Sequence, residues 1–96
     1  MARPTFVIPP KVESISDEAF CGIIAATVGI PNGVNRIGSK AFASDGALSE
    51  IYIPASVTSI ASDAFEGVSG LTVFGVPDSY AELYAIEKKF NFVPVN

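Results

Sequence analysis

The amino-acid sequence predicts an α/β-type repeat solenoid, a short right-handed coil of about three to four turns with parallel strands and a C-terminal capping helix. Two independent anchors support this prediction, because a proline and an Ala-Phe dipeptide both recur every 22 or 23 residues. Units this short cannot bury an apolar face alone, so they are expected to stack. The anchors are Pro9, Pro31, Pro54 and Pro77, with Ala19-Phe20, Ala41-Phe42 and Ala64-Phe65.

The composition fits one small globular domain. The chain has 96 residues, of which 49% are hydrophobic and 17% are charged, and a chain of this length builds a single core. No apolar run reaches the roughly 20 residues that a membrane-spanning helix needs, and the first ten residues lack the apolar segment of a signal peptide. The net charge is −4 and the largest basic cluster is Lys88-Lys89, so no nucleic-acid partner is expected.

Each unit is predicted to begin with a short strand. In Ile51-Tyr52-Ile53, two apolar side chains alternate with one outward side chain. Corresponding strands of successive turns are expected to lie parallel, about 4.8 Å apart. By this register the inward residues are Phe6 and Ile8, Val28 and Ile30, Ile51 and Ile53, and Phe74 and Val76.

The rest of each unit is predicted to turn and to return to the core. The proline after the strand ends strand pairing, because it has no N–H group to donate. A second apolar pair follows, such as Val57 and Ile60 in the third unit. The phenylalanines of the Ala-Phe pairs are then expected to stack as an internal ladder of Phe20, Phe42 and Phe65.

Asn32-Gly33 suggests an alternative, because this dipeptide is a strong signal for a two-residue β-hairpin. The same slot holds Pro10-Lys11 and Ala55-Ser56 in the other units. Neither pair suits a turn that requires positive φ at both central positions. We therefore interpret Asn32-Gly33 as a local variant of the repeat turn.

The spacing Leu48-x-x-Ile51-x-Ile53, echoed by Leu71-x-x-Phe74-x-Val76, is the core spacing of a leucine-rich repeat. The longer segment IPASVTSIASDAFEGVSGLTVFGVPDSYAELYA resembles the BspA-like, or Treponema-type, leucine-rich repeat family, and the resemblance covers about residues 6–95. It implies the C-terminal end of a leucine-rich repeat array. It also implies a bacterial or protist surface protein, of a kind that in some cases adheres to host or matrix proteins.

The C-terminus departs from the repeat and is predicted to be a cap. Ser79 and Glu82 have the spacing of a capping box at the start of a helix over residues 80–89. Its expected apolar stripe consists of Tyr80, Leu83, Tyr84 and Phe90. The predicted organisation is a tail at 1–5, repeats at 6–77 and a cap helix with closing strand at 78–96. The repeats divide into units 6–27, 28–50 and 51–73 and a terminal strand, 74–77.

No such cap is evident before the first unit, which begins at Phe6. An open strand edge recruits other strands. Two expectations follow: the chain is the end of a longer array, or it forms a homo-oligomer through its first turn.

The sequence offers little for catalysis. It has no histidine and no phosphate-binding loop, so we expect no enzyme, no cofactor and no metal site. Asp17 and Asp63 are expected two turns apart, near 10 Å, with Lys40 between them and a role as solvated turn residues. Cys21 is expected near the surface as an unreactive thiol.

Binding is the more plausible activity, because solenoids use the exposed side chains of their strands. The outward row is predicted to be Val7, Gly29, Tyr52 and Gly75, with Glu50 and Thr72 beside it. The candidate protein-binding residues are therefore Val7, Glu50, Tyr52 and Thr72. In the alternative interpretation, Tyr52 packs flat over the flanking glycines and only shields the sheet backbone.

Two hypotheses for function follow. In the first, the chain is a non-enzymatic protein-interaction or adhesion module with a protein partner. In the second, it is a structural end-cap or self-assembling module without a ligand of its own. The resemblance implies a location at the cell surface or outside the cell, as part of a longer precursor. A cytoplasmic location is expected if the chain is complete, because it carries no signal peptide.

Overall fold

The computed structural model describes residues 5–8, 11–22, 26–43, 48–68 and 70–95. Within these ranges it has eight strands and one helix, in the order β1 (Thr5–Val7), β2 (Ser14–Ile15), β3 (Thr27–Gly29), β4 (Arg36–Ile37), β5 (Glu50–Ile53), β6 (Ser59–Ile60), β7 (Thr72–Gly75), α1 (Tyr80–Lys88) and β8 (Asn91–Pro94).

The strands form two parallel sheets. One has five strands in the order β1-β3-β5-β7-β8, and the other has three in the order β2-β4-β6. Strands that neighbour each other in space are separated along the chain by the rest of a turn, except that α1 connects β7 to β8. This topology confirms the predicted α/β repeat solenoid with parallel strands and a capping helix. The division into residues 1–5, 6–77 and 78–96 stays a prediction.

The core lies between the two sheets and is built from the repeated apolar positions. Ile51 and Ile53 of β5 are buried, as are Val57 and Ile60 on the opposite side of the same turn. Their counterparts in the second turn, Val28, Ile30, Val34 and Ile37, are buried in the same way. Each such side chain stabilises the fold by about 1.5–3 kcal/mol, which explains why these positions hold the period.

The phenylalanine ladder is confirmed. Phe20 and Phe42 stack with ring centroids 5.5 Å apart, and Phe42 and Phe65 stack at 5.4 Å. The cap continues the ladder, because Tyr84 lies 6.1 Å from Phe65 and Phe90 meets the same ring edge-on at 6.2 Å. The ladder therefore runs through all three turns and ends against aromatic residues of the cap.

The hairpin alternative is not what forms at Asn32-Gly33. Gly33 has a φ of 102°, but Asn32 has no positive φ, so the primed turn of a two-residue hairpin is absent. Val34 donates its N–H to the carbonyl of Pro31 at 3.4 Å. The third turn has the same arrangement, in which Val57 donates to Pro54 at 3.2 Å.

Helix α1 begins at Tyr80 as predicted and ends one residue early. Lys89 has a φ of 63°, in the left-handed region that terminates helices. The predicted capping box is wrong in part. Glu82 does reach back over the first turn, but its carboxylate accepts the N–H of Asp78 at 2.7 Å, and the Ser79 side chain makes no capping bond.

The predicted apolar stripe of α1 is wrong at Leu83. Tyr84 is buried, and Tyr80 and Phe90 pack against the core. Leu83 is 64% exposed and Ile86 is 65% exposed, on the opposite side of the helix. The core side is completed by two small residues, Ala81 and Ala85, which let the helix approach closely.

Candidate protein-binding face

The outward side chains of the five-stranded sheet form two rows across neighbouring strands. We call them together the strand face. The polar row is Thr27, Glu50, Thr72 and Asn91, and the second row is Gly29, Tyr52, Phe74 and Val93. Tyr52 and Phe74 are half-buried, and Val93 is 38% exposed. Three apolar side chains therefore follow an exposed glycine along the second row.

The structure places three of the four sequence-predicted residues, Glu50, Tyr52 and Thr72, on this face. Tyr52 pairs with Gly29 in the neighbouring strand, and the backbone of Val7 pairs with Gly29 from the other side. Glu50 and Thr72 face each other in β5 and β7. The side chain of Val7 lies outside the described residues. That these four residues bind a protein stays a proposal.

The predicted register is wrong in β7. Tyr52 pairs with Phe74, whereas Gly75 pairs with Ile53 and is buried. The inward residues of this strand are therefore Val73 and Gly75, in place of Phe74 and Val76. The shift moves an aromatic ring onto the strand face, and sequence reasoning missed Phe74 as a binding candidate.

The capping helix gives the physical reason for this register. A Cβ atom at Gly75 would lie 3.0 Å from the Cβ of Ala81 in α1 and 3.1 Å from the ring of Phe92. A side chain at the last inward position of β7 would therefore be crowded by the helix and by Phe92, whereas glycine leaves room for the helix to cross there. The alternation Leu71-x-Val73 in the sequence is the signal that could have revealed it, because strands have a period of two.

The interpretation that Tyr52 only shields glycine backbone does not agree with the geometry. A Cβ atom built on Gly29 would have no atom within 4 Å, so the Tyr52 ring does not lie over Gly29. Gly75 points to the other side of the sheet. The second row therefore begins with an open notch at Gly29, beside the tyrosine ring.

The carboxylates between the turns have structural partners. Ser39 donates its N–H to the Asp17 carboxylate at 2.9 Å, and its hydroxyl donates to the Asp63 carboxylate at 2.8 and 2.9 Å. The residue between the two aspartates is thus Ser39, not the predicted Lys40. Lys40 lies 4.0 Å from the carboxylate of Glu66.

Other candidate chemistry is sparse in the part of the chain that the structure describes. Cys21 is exposed. Within the described ranges, no group of three potential ligands is placed to hold a metal ion, and no cavity is present. Burial raises the pKa of the Tyr84 hydroxyl, with smaller contributions from Tyr80, Asp63 and Glu87. That hydroxyl donates to the carbonyl of Ala61 at 3.1 Å, a structural contact.

The chain belongs to the BspA-type leucine-rich repeat family. The family description, BspA type Leucine rich repeat region (6 copies), matches residues 3–90. Repeats of this class generally mediate protein interactions and are generally non-enzymatic. No curated protein and no solved structure matches the chain. The one described helix is too short and too polar to cross a membrane.

Proposed function

We propose that this chain is a non-enzymatic adhesion module that binds a protein partner through the strand face, at the cell surface or outside the cell. The observation that carries the proposal is the in-register row of Tyr52, Phe74 and Val93. Aromatic side chains are enriched among the residues that dominate binding energy. The sheet holds this row rigidly, so little conformational entropy is lost on binding.

The polar row complements the apolar one. Glu50 and Thr72 lie two residues before Tyr52 and Phe74 on the same strands, so both rows face the same partner. Apolar anchors beside a polar rim are the usual anatomy of a protein interface. We expect the binding energy to come mainly from the second row, and the polar row to fix the orientation of the partner.

A second candidate function is a structural end-cap without a ligand. It is favoured by α1, whose Tyr84 packs on the last ring of the phenylalanine ladder. The terminal unit of a solenoid needs an outer side that is polar or covered, and α1 covers the last turn here. The two functions are compatible in one chain, but only the first one predicts a role for the strand face.

The test is binding of the purified chain to a panel of extracellular-matrix proteins, measured by biolayer interferometry. For any matrix protein bound, we expect Tyr52→Ala and Phe74→Ala each to weaken affinity at least tenfold. The matched control is Leu83→Ala on the exposed side of α1, which should change affinity less than twofold.

Two results would contradict the proposal. One is a matrix partner whose affinity is unchanged by both strand-face substitutions. The other is the absence of binding across the panel, even when the chain is displayed at high density so that avidity compensates for weak affinity. The second result would favour the end-cap function.

A further inference from the structure

Two side chains of the strand face lie on one strand and on the same side of the sheet. Glu50 and Tyr52 are half-buried residues of β5, and Ile51 between them is buried in the core. Strands rise about 3.3 Å per residue, so the carboxylate and the tyrosine ring project from backbone positions about 6.6 Å apart. A single long side chain of a partner can therefore contact both.

The backbone at both positions is fixed by the second turn. Glu50 donates its N–H to the carbonyl of Ala26 at 3.2 Å, and the carbonyl of Tyr52 accepts the N–H of Ile30 at 3.1 Å. The strands concerned, β3 and β5, each have a parallel neighbour on both sides. The pair is therefore held by the interior of the sheet and does not depend on either end of the chain.

The sheet beside this pair is open. Gly29 pairs with Tyr52, and Thr27 pairs with Glu50, so the notch at Gly29 adjoins both the ring and the polar row. Gly29 is exposed, and a Cβ atom built on it would meet nothing within 4 Å. A partner side chain can therefore reach the backbone of β3 along the flank of the tyrosine ring.

The charge on this surface selects the kind of side chain that fits. Among the eight described residues of the two rows, Glu50 is the one that carries a charge at neutral pH. The chain as a whole has a net charge of −4. A negatively charged surface attracts cationic groups and disfavours anionic ones, which gives an interface its specificity. The strand face therefore complements a positively charged side chain.

We propose that the strand face recognises an arginine side chain of its protein partner, bound in the notch between Gly29 and Tyr52. The aliphatic part of the arginine lies on the backbone at Gly29, the guanidinium stacks on the tyrosine ring, and its N–H groups donate to the Glu50 carboxylate. Arginine suits this pair better than lysine, because a planar guanidinium stacks on an aromatic ring and donates in a fixed fork at the same time. This assignment rests on the proposed function and names the partner residue that binds beside the aromatic row.

The experiment follows the amide resonances of the isotope-labelled full chain by NMR during titration with the peptide acetyl-Arg-Gly-Leu-amide. The arginine is directed to the notch, and the leucine two residues later is directed to Phe74. We expect saturable shifts at Gly29, Glu50 and Tyr52. The matched control peptide carries citrulline in place of arginine, which keeps the shape without the charge, and it should bind about fivefold more weakly or worse.

Three variants of the chain locate the arginine. Glu50→Gln should lower the affinity for the arginine peptide to that for the citrulline peptide. Glu87→Gln removes an equal charge at an exposed position of α1 and should leave both affinities unchanged. Gly29→Val fills the notch and should weaken binding of the arginine peptide about fivefold, because the added side chain occupies the arginine site. Its unfolding midpoint should not fall, since a Cβ atom has open space there.

The proposal is overturned if the arginine peptide produces no saturable shifts at β3 and β5, or if both peptides bind equally. It is also overturned if Glu50→Gln and Glu87→Gln have the same effect. Binding to matrix proteins separates this failure from a failure of the proposed function. An affinity that falls with Tyr52→Ala but is unchanged by Glu50→Gln contradicts arginine recognition alone, whereas an affinity unchanged by either substitution and by Phe74→Ala contradicts the proposed function as well.

Discussion

The rings of Phe42 and Phe65 stack with centroids 5.4 Å apart and planes 6° from parallel, although 23 residues separate them along the chain. Both side chains are buried. Stacked aromatic pairs at this distance contribute about 0.5–1.5 kcal/mol beyond the burial of their surface. This contact joins the second turn to the third, so it couples the stability of separate turns.

Replacing Phe42 tests this coupling. We expect Phe42→Ala to lower the free energy of unfolding by about 3–5 kcal/mol, because it removes a buried ring with partners on both sides. Urea unfolding followed by circular dichroism measures the change. Leu83→Ala, at an exposed position, should stay within about 0.5 kcal/mol. A loss below about 1.5 kcal/mol for Phe42→Ala would contradict the central place of the ladder.

Two glycines provide a matched pair for the close approach of turns. A Cβ atom at Gly38 would lie 2.7 Å from the backbone N of Asp17 and 2.8 Å from the carbonyl carbon of Ser16, whereas at Gly29 it would meet nothing within 4 Å. We expect Gly38→Ala to destabilise the fold by about 1–3 kcal/mol, because packed backbone has to move. Gly29→Ala should be neutral or stabilising by up to about 1 kcal/mol.

Thermal unfolding of both glycine variants checks this expectation. The essential result is the order of the two midpoints, with Gly38→Ala below the unsubstituted chain and Gly29→Ala at or above it. Equal midpoints would mean that the first and second turns do not approach each other as closely as described.

The Ser39 hydroxyl is predicted to stabilise the stack through the Asp63 carboxylate. Its bonds of 2.8 and 2.9 Å are to a charged acceptor and are partly buried. Ser39→Ala should therefore cost about 1.5–3 kcal/mol. The control is Thr58→Ala, which removes an exposed bond of 3.4 Å to Asn35 and should cost less than about 0.5 kcal/mol. Chemical unfolding measures the free energy of both variants. If the two substitutions lower the free energy of unfolding equally, the bond between Ser39 and Asp63 is unimportant.

The Tyr84 hydroxyl predicts a dependence of stability on alkaline pH. Burial raises its pKa in the folded chain above the value of about 10 that an unfolded chain has. The unfolded chain therefore loses this proton first as the pH rises. The contribution of Tyr84 is complete below about pH 10 and falls above it by up to about 1.4 kcal/mol per pH unit.

Tyr84→Phe removes this dependence, because phenylalanine has no proton to lose. The variant should be less stable at neutral pH by about 0.5–1.5 kcal/mol, since the bond to Ala61 is lost. Urea unfolding at several pH values between about 8 and 11 should show that the difference in unfolding free energy between the unsubstituted chain and Tyr84→Phe becomes smaller above about pH 10. If this difference in unfolding free energy is the same at every pH, the role of the buried hydroxyl is contradicted.

The sequence was sufficient for the parts of the fold that recur in every turn. Phe20, Phe42 and Phe65 were predicted to stack, and they do, because a period in the low twenties places them one above another. The inward residues Ile51 and Ile53 followed from the same period. These positions repeat because each one contacts its own copies in the neighbouring turns.

The sequence was insufficient where an element occurs once. The proline anchors placed Gly75 beside Tyr52, but α1 crosses β7 at Gly75 and turns Phe74 outward instead. Leu83 was expected in the core, yet the small residues Ala81 and Ala85 form that side of the helix. Both errors arise from contacts between the cap and the last turn, and no other turn supplies a second example from which to infer them.

The most direct test of the central claim, binding through the strand face, is hydroxyl-radical footprinting of the full chain with a bound matrix protein. This method measures the solvent exposure of individual side chains. We expect oxidation of Tyr52 and Phe74 to fall several-fold in the complex, while Leu83 and Ile86 react as they do in the free chain. Unchanged oxidation of Tyr52 and Phe74, together with protection of Leu83 and Ile86, would contradict the account and place the interface on the capping helix.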